Sequence, residues 1–452
     1  MTVIEKLFTL LENKNYAEFM KIIDEAEPVD IAEFLMELPQ EKQLAVFRMF
    51  KKDISADIFA ELDIKAQEAI ISSAGDREIS ELIEELYLDD AVDMLEELPA
   101  NMVKRILKIA KPETRALINK FLSYPENSAG SLMTAEFVEL KKTMTVGEAI
   151  AHIRKNGTQK ETVYVAYVTD RTKILEGIIL LEELLFADDD TPISEVMDKD
   201  FIYAKTHDER EAVSALISKY SLPAVPIVDM EGRLVGIVTF DDAMDAVTES
   251  VSEDIEMMGA ITPTDEPYLK TGIFKTFIKR IPWLLILMLS ATFTGQIITG
   301  FEESLSAYPM LIAFIPMLMG TGGNSGGQAS VTIIRGLALD EIKMSDVLKV
   351  VWKELRISLL CGIALSVCSY LKILLVDNLI FGNGIDALAA LVVSLTLLVT
   401  VLAAKIIGAS LPILAKRLKL DPAVMASPFI TTLVDAISLM IYFAFAKIIL
   451  KI

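Results

Sequence analysis

The last apolar stretch of this chain reads Pro422-Ala-Val-Met-Ala-Ser-Pro-Phe-Ile-Thr-Thr-Leu-Val-Asp435-Ala-Ile-Ser-Leu-Met-Ile-Tyr-Phe443. As a helix it is long enough to cross the hydrocarbon core of a bilayer, which is about 30 Å thick. Asp435 is its single acidic residue and lies near its middle. A carboxylate at that depth costs several kcal/mol and is rarely kept without a function. The stretch therefore predicts a membrane protein with Asp435 on an ion or substrate pathway.

Charge and hydropathy divide the 452 residues into two parts. The net charge is -22, yet 52% of the residues are hydrophobic and the mean hydropathy is +0.44. Most of the charge precedes residue 270, and long apolar runs dominate from Trp283 onward. This pattern predicts an acidic soluble part followed by a membrane part. The excess of acid favours cations and argues against a nucleic-acid partner, which requires a basic face.

Residues 1–127 carry a helical repeat. Asp30-Ile-Ala-Glu-Phe-Leu-Met-Glu-Leu-Pro39 returns as Asp90-Ala-Val-Asp-Met-Leu-Glu-Glu-Leu-Pro99, and a degenerate copy, Asp57-Ile-Phe-Ala-Glu-Leu62, lies between them. A period near 30 residues, built from helix–turn–helix units, predicts an all-α superhelical N-domain.

Residues 128–190 and 191–248 are predicted to be two copies of one α/β domain. β-branched runs alternate with amphipathic helical segments in both. The stretch Leu222-Pro-Ala-Val-Pro-Ile-Val-Asp-Met-Glu-Gly-Arg-Leu-Val-Gly-Ile-Val-Thr-Phe-Asp-Asp242 resembles the second motif of a cystathionine-β-synthase-type (CBS) pair. Such pairs commonly sense adenine nucleotides or ions. The resemblance implies one candidate nucleotide site, for ATP, at Thr239 and Asp242, because the matching first-copy segment Leu180-Leu-Glu-Glu183 departs from the signature.

An acidic segment with helical periodicity leads from this pair to the first apolar run. One stripe of the segment is apolar and the opposite face carries carboxylates. These are Asp242, Asp245, Glu249, Glu253 and Asp254. Like charges on adjacent helical turns repel one another unless cations lie between them. We predict a cation-responsive connecting (plug) helix over 249–272, although a solvated acidic face would show the same pattern.

Five spans are predicted within residues 273–452, as a five-helix α transmembrane domain. They lie at about 282–301, 308–334, 355–376, 387–411 and 422–447. Lys and Arg are concentrated in 275–280, 335–356 and 416–419, and are absent from 301–307 and 377–386. Together with a start that lacks signal-peptide features, this predicts a cytoplasmic soluble part and an extracytoplasmic C-terminus. Lys405 and Arg335 are expected near inner helix ends, where they can snorkel.

The second span contains the run Gly320-Thr-Gly-Gly-Asn-Ser-Gly-Gly-Gln328. Five glycines in eight residues disfavour a regular helix, and irregular backbone survives in a bilayer only where protein or water satisfies it. Close packing of helices would explain the glycines but not the polar side chains among them. We therefore predict a pore or its wall. Its residues are Gly322, Gly323, Asn324, Ser325 and Gln328.

This run and the segment from Asp421 to Asp435 resemble the signature of the MgtE family of magnesium channels or transporters. The order of the domains agrees as well. The resemblance implies a homodimer in the bilayer with the pore at the subunit interface. It implies that Asp435 holds hydrated Mg²⁺ and that Asp421 marks an inner-mouth site. Ser427 stands in the pore, where many family members have Asn.

The resemblance also implies regulatory Mg²⁺ sites in the soluble part. Asp242, Asp245, Glu253 and Asp254 match acids of the family, whereas Ser221 and Ser250 replace two others. The N-domain candidates are Asp89, Asp90 and Asp93. Ions that bridge these acids at high cytosolic Mg²⁺ would favour a compact closed state, and their loss would let the carboxylates repel one another.

The sequence thus predicts a Mg²⁺-selective channel or transporter for influx across the cytoplasmic membrane, closed by cytosolic Mg²⁺, and no enzyme. Mg²⁺ loses its water reluctantly, which suits capture by one carboxylate per subunit. A transporter of Co²⁺ or Mn²⁺ is the near alternative. A CBS-regulated membrane enzyme would need a nucleophile or metal-hydrolase constellation, and an anion channel would favour basic residues along its path. Two histidines in the chain argue against a zinc or iron centre.

Overall fold

The computed structural model describes residues 2–264, 268–269, 271–339, 341–425 and 427–451. The chain divides into two compact units, Met1–Val247 and Thr248–Ile452. Each unit has its own hydrophobic cores.

The first unit begins with ten helices in the described part of the N-domain. They are α1 (Val3–Glu12), α2 (Tyr16–Glu25), α3 (Pro28–Glu37), α4 (Gln40–Phe47), α5 (Lys52–Ala60), α6 (Ile64–Ser73), α7 (Asp76–Glu85), α8 (Leu88–Glu97), α9 (Ala100–Ile109) and α10 (Pro112–Phe121). Most helices contact the helix two places along the chain, as α3 contacts α5 and α6 contacts α8. Phe19, Phe34 and Phe59 are fully buried between them. The predicted all-α N-terminal domain is confirmed.

The rest of the first unit contains two small sheets with the same topology. Its elements are α11 (Ala129–Leu132), β1 (Val138–Lys141), α12 (Val146–Asn156), β2 (Val165–Thr169), β3 (Leu175–Leu180), α13 (Leu181–Phe186), α14 (Ile193–Val196), β4 (Ala204–Lys205), α15 (Arg210–Tyr220), β5 (Ala224–Val228), β6 (Leu234–Thr239) and the first turns of α16 (Phe240–Met258), whose later turns belong to the second unit. In both sheets a buried central strand pairs parallel with the strand before it and antiparallel with the strand after it. The predicted duplication is therefore present, with Val165 opposite Leu180 and Ala224 opposite Thr239.

Helix α16 starts directly after β6 and carries the predicted acidic face. Of the predicted connecting segment, 249–272, the helix includes the residues up to Met258. Residues 265–267 and 270 of that segment lie outside the described residues.

The second unit is helical throughout its described part. Its helices are α17 (Ile273–Gly300), α18 (Glu302–Ala307), α19 (Ile315–Ala338), α20 (Val347–Lys372), α21 (Ala387–Arg417) and α22 (Ser427–Leu450), with short 3-10 turns at Pro309–Phe314, Met344–Asp346 and Pro422–Met425 and a π-helical segment at Ile373–Ile380. Four described segments are long and apolar enough to cross a membrane. They are Ile273–Gly300, Met344–Ile380, Ala387–Arg417 and Pro422–Leu450.

Helix α19 occupies the second predicted span and corrects one expectation. It continues as a regular helix through the glycine run, so the prediction of irregular backbone there is wrong. The glycines allow close packing. A Cβ at Gly326 would lie 2.7 Å from the Ile430 side chain, and one at Gly408 would lie 2.2 Å from the Gly326 carbonyl oxygen. Contacts with α21 and α22 thus compensate for the low helix propensity of glycine.

Candidate functional site

Asp435 lies on α22, half-buried, where this helix packs against the glycines of α19. Its neighbours Val434 and Ser438 both approach Gly322, at which a Cβ would lie 2.9 Å from each side chain. Further toward the start of α22, Thr431 approaches Gly323. The carboxylate is therefore at the level of Gly322, inside an apolar helix that is long enough to cross a membrane.

The two faces of α19 differ in the middle of the glycine run. Gly322, Gly323 and Ser325 are buried against other helices of the same chain. Asn324 and Gln328 are exposed, and their spacing of four residues places them on one face. The structure therefore leaves a polar amide face on α19 uncovered within the chain, while the glycine face forms the packing.

The start of the last span is a tight turn. The Asp421 carboxylate is exposed and accepts a hydrogen bond from the Ala423 backbone N–H at 2.7 Å. The Ser330 hydroxyl of α19 donates to the Met425 carbonyl at 3.2 Å. Helix α22 begins at Ser427, whose side chain lies outside the described part of the structure. These contacts hold the start of α22 beside α19.

The first unit brings a second group of acids together, which we call the acidic cluster. It contains Asp57, Glu61, Asp89, Asp90, Glu136, Glu161, Asp241, Asp242 and Asp245. They come from α5 and the residue that follows it, from α8, from the chain before β1 and β2, and from the first turns of α16. The predicted residues Asp90 and Asp242 are thus brought close enough to interact. Asp93 is exposed on α8, and Glu249, Glu253 and Asp254 lie on later turns of α16, in the second unit.

Burial dominates the electrostatics of the acidic cluster. Burial, and then the neighbouring Asp242 carboxylate, raise the pKa of Asp90 to about 7. The same two causes raise the pKa of Glu161 to about 7. Burial also raises the pKa of Asp89 well above its ordinary value, with Asp90 adding to the effect. A bound cation would favour the ionised form of these carboxylates, because its positive charge offsets the cost of holding negative charges buried and close together.

Two carboxylate oxygens of the acidic cluster also favour a bound cation. Asp89 Oδ1 and Glu161 Oε2 are buried, and neither has a hydrogen-bond partner among the described residues. Hard carboxylate oxygens are the donors that Mg²⁺ prefers. Within the described residues, however, no three Asp, Glu, His or Cys side chains converge closely enough to form a ready-made metal site.

Five members of the acidic cluster were not predicted from the sequence: Asp57, Glu61, Glu136, Glu161 and Asp241. The repeat held a signal for the first of these, Asp57. Asp57 begins the degenerate copy as Asp90 begins the last copy, although Asp57 is the sixth residue of α5 and Asp90 the third residue of α8. For Glu136 and Glu161 the sequence held no such signal, because they belong to irregular segments next to strands.

The two α/β repeats also enclose a cleft of about 780 Å³. Glu161 and Tyr164 line it from the first repeat, and Thr239 and Asp241 line it from the second. The predicted nucleotide residue Thr239 thus lies in the cleft, and its hydroxyl donates a hydrogen bond to Asp242. Glu161 belongs both to the cleft and to the acidic cluster.

These features define an integral membrane transport protein that carries a soluble region of repeated helical and α/β domains. Family profiles match throughout the chain: "Divalent cation transporter" at residues 315–445, "MgtE intracellular N domain" at 26–127, and the CBS domain at 129–190 and 193–249. A magnesium transporter MgtE of Thermus thermophilus is 35% identical over 435 residues, which cover 95% of each chain. One of Bacillus subtilis is 30% identical over 444 residues, covering 98% of this chain and 96% of the relative. The chain belongs to the MgtE family.

Solved structures of soluble regions resemble the first part of the chain. The cytosolic domain of the Mg²⁺ channel MgtE in complex with ATP has a TM-score of 0.50 and 32% identity, covering 54% of this chain and 99% of that one. The soluble part of a magnesium transporter has a TM-score of 0.52 and 27% identity, covering 55% of this chain and 98% of that one.

Proposed function

We propose that this protein is a Mg²⁺-selective channel or transporter that carries Mg²⁺ into the cell across the cytoplasmic membrane. The observation that carries the proposal is the half-buried carboxylate of Asp435 within an apolar helix, next to the glycine contact between α19 and α22. The relatives named as magnesium transporters support the choice of ion. In this proposal the soluble part is cytoplasmic, the C-terminus is extracytoplasmic, and α19 is the second of five spans.

The path is proposed to form between two copies of the chain. Asn324 and Gln328 form an exposed polar face on a helix that would otherwise meet lipid, which is unfavourable unless another copy or water covers it. In a symmetric homodimer each subunit contributes one Asp435, so that a hydrated dication meets two carboxylates. Asp421 and Ser427 are proposed at the inner mouth and along the wall of this path.

Removal of the Asp435 charge tests the transport proposal. Asp435→Asn should reduce Mg²⁺ influx into proteoliposomes to the level of empty vesicles, because the ion loses its fixed counter-charge. Asp386→Asn is the matched control, since it removes an exposed acid at the start of α21 and should leave influx unchanged. Normal influx in a folded Asp435→Asn protein would exclude this role for Asp435.

Influx into the same vesicles distinguishes transport of Mg²⁺ from transport of other divalent cations. If the protein selects hydrated Mg²⁺, excess Co²⁺ or Mn²⁺ should compete weakly for influx. If either ion enters faster than Mg²⁺, the protein is a transporter of that other cation.

We propose further that cytosolic Mg²⁺ closes the path by binding to the acidic cluster and along α16. The buried and unpartnered oxygens of Asp89 and Glu161 support a site that is completed by a cation. When Mg²⁺ leaves, the like charges repel one another and the compact arrangement loses stability. The proposed regulatory ligands named from the sequence are Asp89, Asp90, Asp93, Asp242, Asp245, Glu249, Glu253 and Asp254.

Neutral variants of the acidic cluster test the gating proposal. Asp90→Asn combined with Asp242→Asn should keep influx active at internal Mg²⁺ concentrations that inhibit the wild type. Asp30→Asn is the matched control, since Asp30 occupies the same repeat position in the first copy and should leave inhibition intact. An unchanged inhibition midpoint in the double variant would show that the sensor lies elsewhere.

We also propose that ATP binds in the cleft between the two α/β repeats. The position of Thr239 in this cleft supports the proposal, as does the ATP complex of the similar cytosolic domain. Thr239→Val should weaken ATP binding to the full-length protein, measured by calorimetry, because it removes a hydroxyl from the cleft.

A further inference from the structure

Helices α19 and α22 contact each other along one line in the second unit. Gly326 of α19 approaches Ile430, and Gly322 approaches Val434, so the residue number falls along α19 as it rises along α22. The two helices are therefore antiparallel. Van der Waals contacts of this kind depend on distance and set how close the helices come. They have no preferred direction, so a directional contact is needed to fix the position of one helix along the other.

One directional contact lies just before the start of α19. The Tyr442 hydroxyl of α22 donates a hydrogen bond to the Leu311 carbonyl at 3.0 Å, and Tyr442 is fully buried. The sequence explains why this carbonyl can accept. Pro316 has no N–H to donate to the Ile312 carbonyl, and the Ile315 N–H donates to that carbonyl instead, within a 3-10 turn. In an α-helix the same N–H would bond to the Leu311 carbonyl, which here accepts from Tyr442.

A second directional contact lies at the other end of the helix pair. The Ser330 hydroxyl of α19 donates to the Met425 carbonyl at 3.2 Å, and Ser330 is fully buried. Met425 ends the 3-10 turn before α22. Pro428, the second residue of α22, has no N–H to donate to the carbonyl three residues earlier. Both hydroxyls thus bind a carbonyl that precedes a helix with proline as its second residue.

The two hydrogen bonds lie on either side of Asp435 along α22. Between them, the glycines of α19 let the two helices approach closely. A slide of α22 by one residue would move its atoms by about 1.5 Å along the axis and would break both bonds. Such a slide would leave buried polar groups without partners, which costs more than the net value of a hydrogen bond. The two hydroxyls therefore oppose a change in the register of α22 on α19.

We infer that Ser330 and Tyr442 are positioning residues, which set the register of α22 on α19 and thereby hold the Asp435 carboxylate at a fixed place relative to the exposed amides of Asn324 and Gln328. The register stands on the two hydrogen bonds alone. The effect on the ion rests on the proposed function, in which Asp435 and this amide face line one path. Neither hydroxyl contacts the ion in this inference, since both are bonded to backbone between the helices.

The concentration dependence of Mg²⁺ influx into proteoliposomes tests the positioning role. Ser330→Ala and Tyr442→Phe should each raise the half-saturating Mg²⁺ concentration by about two- to tenfold, the range that the loss of one hydrogen bond gives. Maximal influx per folded protein should fall by a smaller factor. In the double variant the half-saturating concentration should rise by more than the product of the single effects, because neither bond then holds the register. Residues that are far apart and independent would give the simple product, which would overturn the inference.

A hydrogen bond of the same kind between two other helices provides the matched control. The Ser366 hydroxyl of α20 donates to the Ser394 carbonyl of α21 at 2.7 Å. Ser366→Ala should leave the half-saturating Mg²⁺ concentration unchanged, alone and together with Tyr442→Phe. An equal rise in Ser366→Ala would show that general loosening of the bundle causes the effect, and would overturn the positioning role. If the double variant of Ser330 and Tyr442 does not fold, an unchanged half-saturating concentration in both single variants would also overturn it.

A distance between spin labels measures the register without transport. Val331→Cys on α19 and Met440→Cys on α22 change exposed residues, and Cys361→Ala and Cys368→Ala remove the native thiols. The labelled positions lie about 20 Å apart along the helix axes. With labelled chains diluted by unlabelled ones, the full-length protein should give one narrow distance distribution.

The distribution should shift or broaden by about 1.5 Å or more when Ser330→Ala and Tyr442→Phe are added, since this is the rise of one residue. An unchanged distribution in that variant would overturn the register. A wild type that carries no Mg²⁺ would overturn the proposed function, and with it the effect on the ion, while the label distances would still decide the register of α22 on α19.

Discussion

Asp90 and Glu161 differ from most acids of this chain in their surroundings and not in their chemistry. Burial raises the pKa of both to about 7, from ordinary values of 3.8 for Asp and 4.5 for Glu. In the folded protein they take up protons as the pH falls through about 7, whereas the unfolded chain does so only near pH 4. Without metal, the acidic cluster should therefore gain stability as the pH falls from about 8 to about 5, and lose it as the pH rises.

The pH dependence of Mg²⁺ binding follows from these values. Mg²⁺ requires ionised carboxylates, so its binding near pH 7 should release protons, and its affinity should fall below pH 7 by about tenfold per pH unit for each proton released. Calorimetry of the full-length protein in two buffers with different ionisation enthalpies measures the release. Asp90→Asn should reduce it. Equal heats in both buffers would mean that the cluster is already ionised before Mg²⁺ binds.

The importance of a residue can be predicted from the sequence when it depends on the residues next to it in the chain. Asp435 stands out because it interrupts an apolar run, so its importance is visible from the neighbours in the chain. The importance of Glu161 depends on Asp90 and Asp242, which are far away in the sequence. Such a residue resembles any solvated acid until the fold brings its partners together.

At the scale of elements, α19 shows how packing can override local propensity. Its glycine run favours irregular backbone in isolation, yet the segment is a continuous helix. The reason is the contact with α21 and α22, which only residues without side chains permit at this distance. The prediction that Lys405 snorkels to the interface is wrong for a different reason: its side chain is only 6% exposed, and hydropathy does not reveal which face of a helix its neighbours cover.

The contact between Gly326 and Gly408 makes a clear prediction. Gly408→Ala would place a Cβ 2.2 Å from the Gly326 carbonyl oxygen, so the two helices must separate. We expect a loss of about 2 kcal/mol or more in the free energy of unfolding, together with reduced Mg²⁺ influx. Gly295→Ala on α17 is the matched control, because a Cβ there meets nothing within 4 Å. Equal stability of the two variants would show that the close contact does not determine the packing.

At the scale of the whole molecule, the acidic cluster and the buried carboxylate of the last helix belong to different units. The acidic cluster draws on residues from 57 to 245 within the first unit, and Asp435 belongs to the second. The net charge of -22 is visible from composition alone, but composition cannot separate a buried cluster from an acidic surface. The repeat in the N-domain and the duplicated α/β pattern predicted the scaffold correctly, whereas the meeting of α5 and α8 with α16 required the fold.

Removal of Mg²⁺ should therefore affect the full-length protein unevenly. On chelation, backbone amides of α5, α8 and the first turns of α16 should exchange hydrogen faster, because the acidic cluster loses its counter-charge and the local free energy of opening falls. Amides of α2 provide the internal control, since this helix contributes no acid to the cluster. Glu161→Gln should shrink the difference between the Mg²⁺-bound and chelated states, because one buried charge no longer needs a cation. An equal increase in exchange across α2, α5 and α8 would instead indicate general destabilisation, and would place the Mg²⁺-sensitive site outside the acidic cluster.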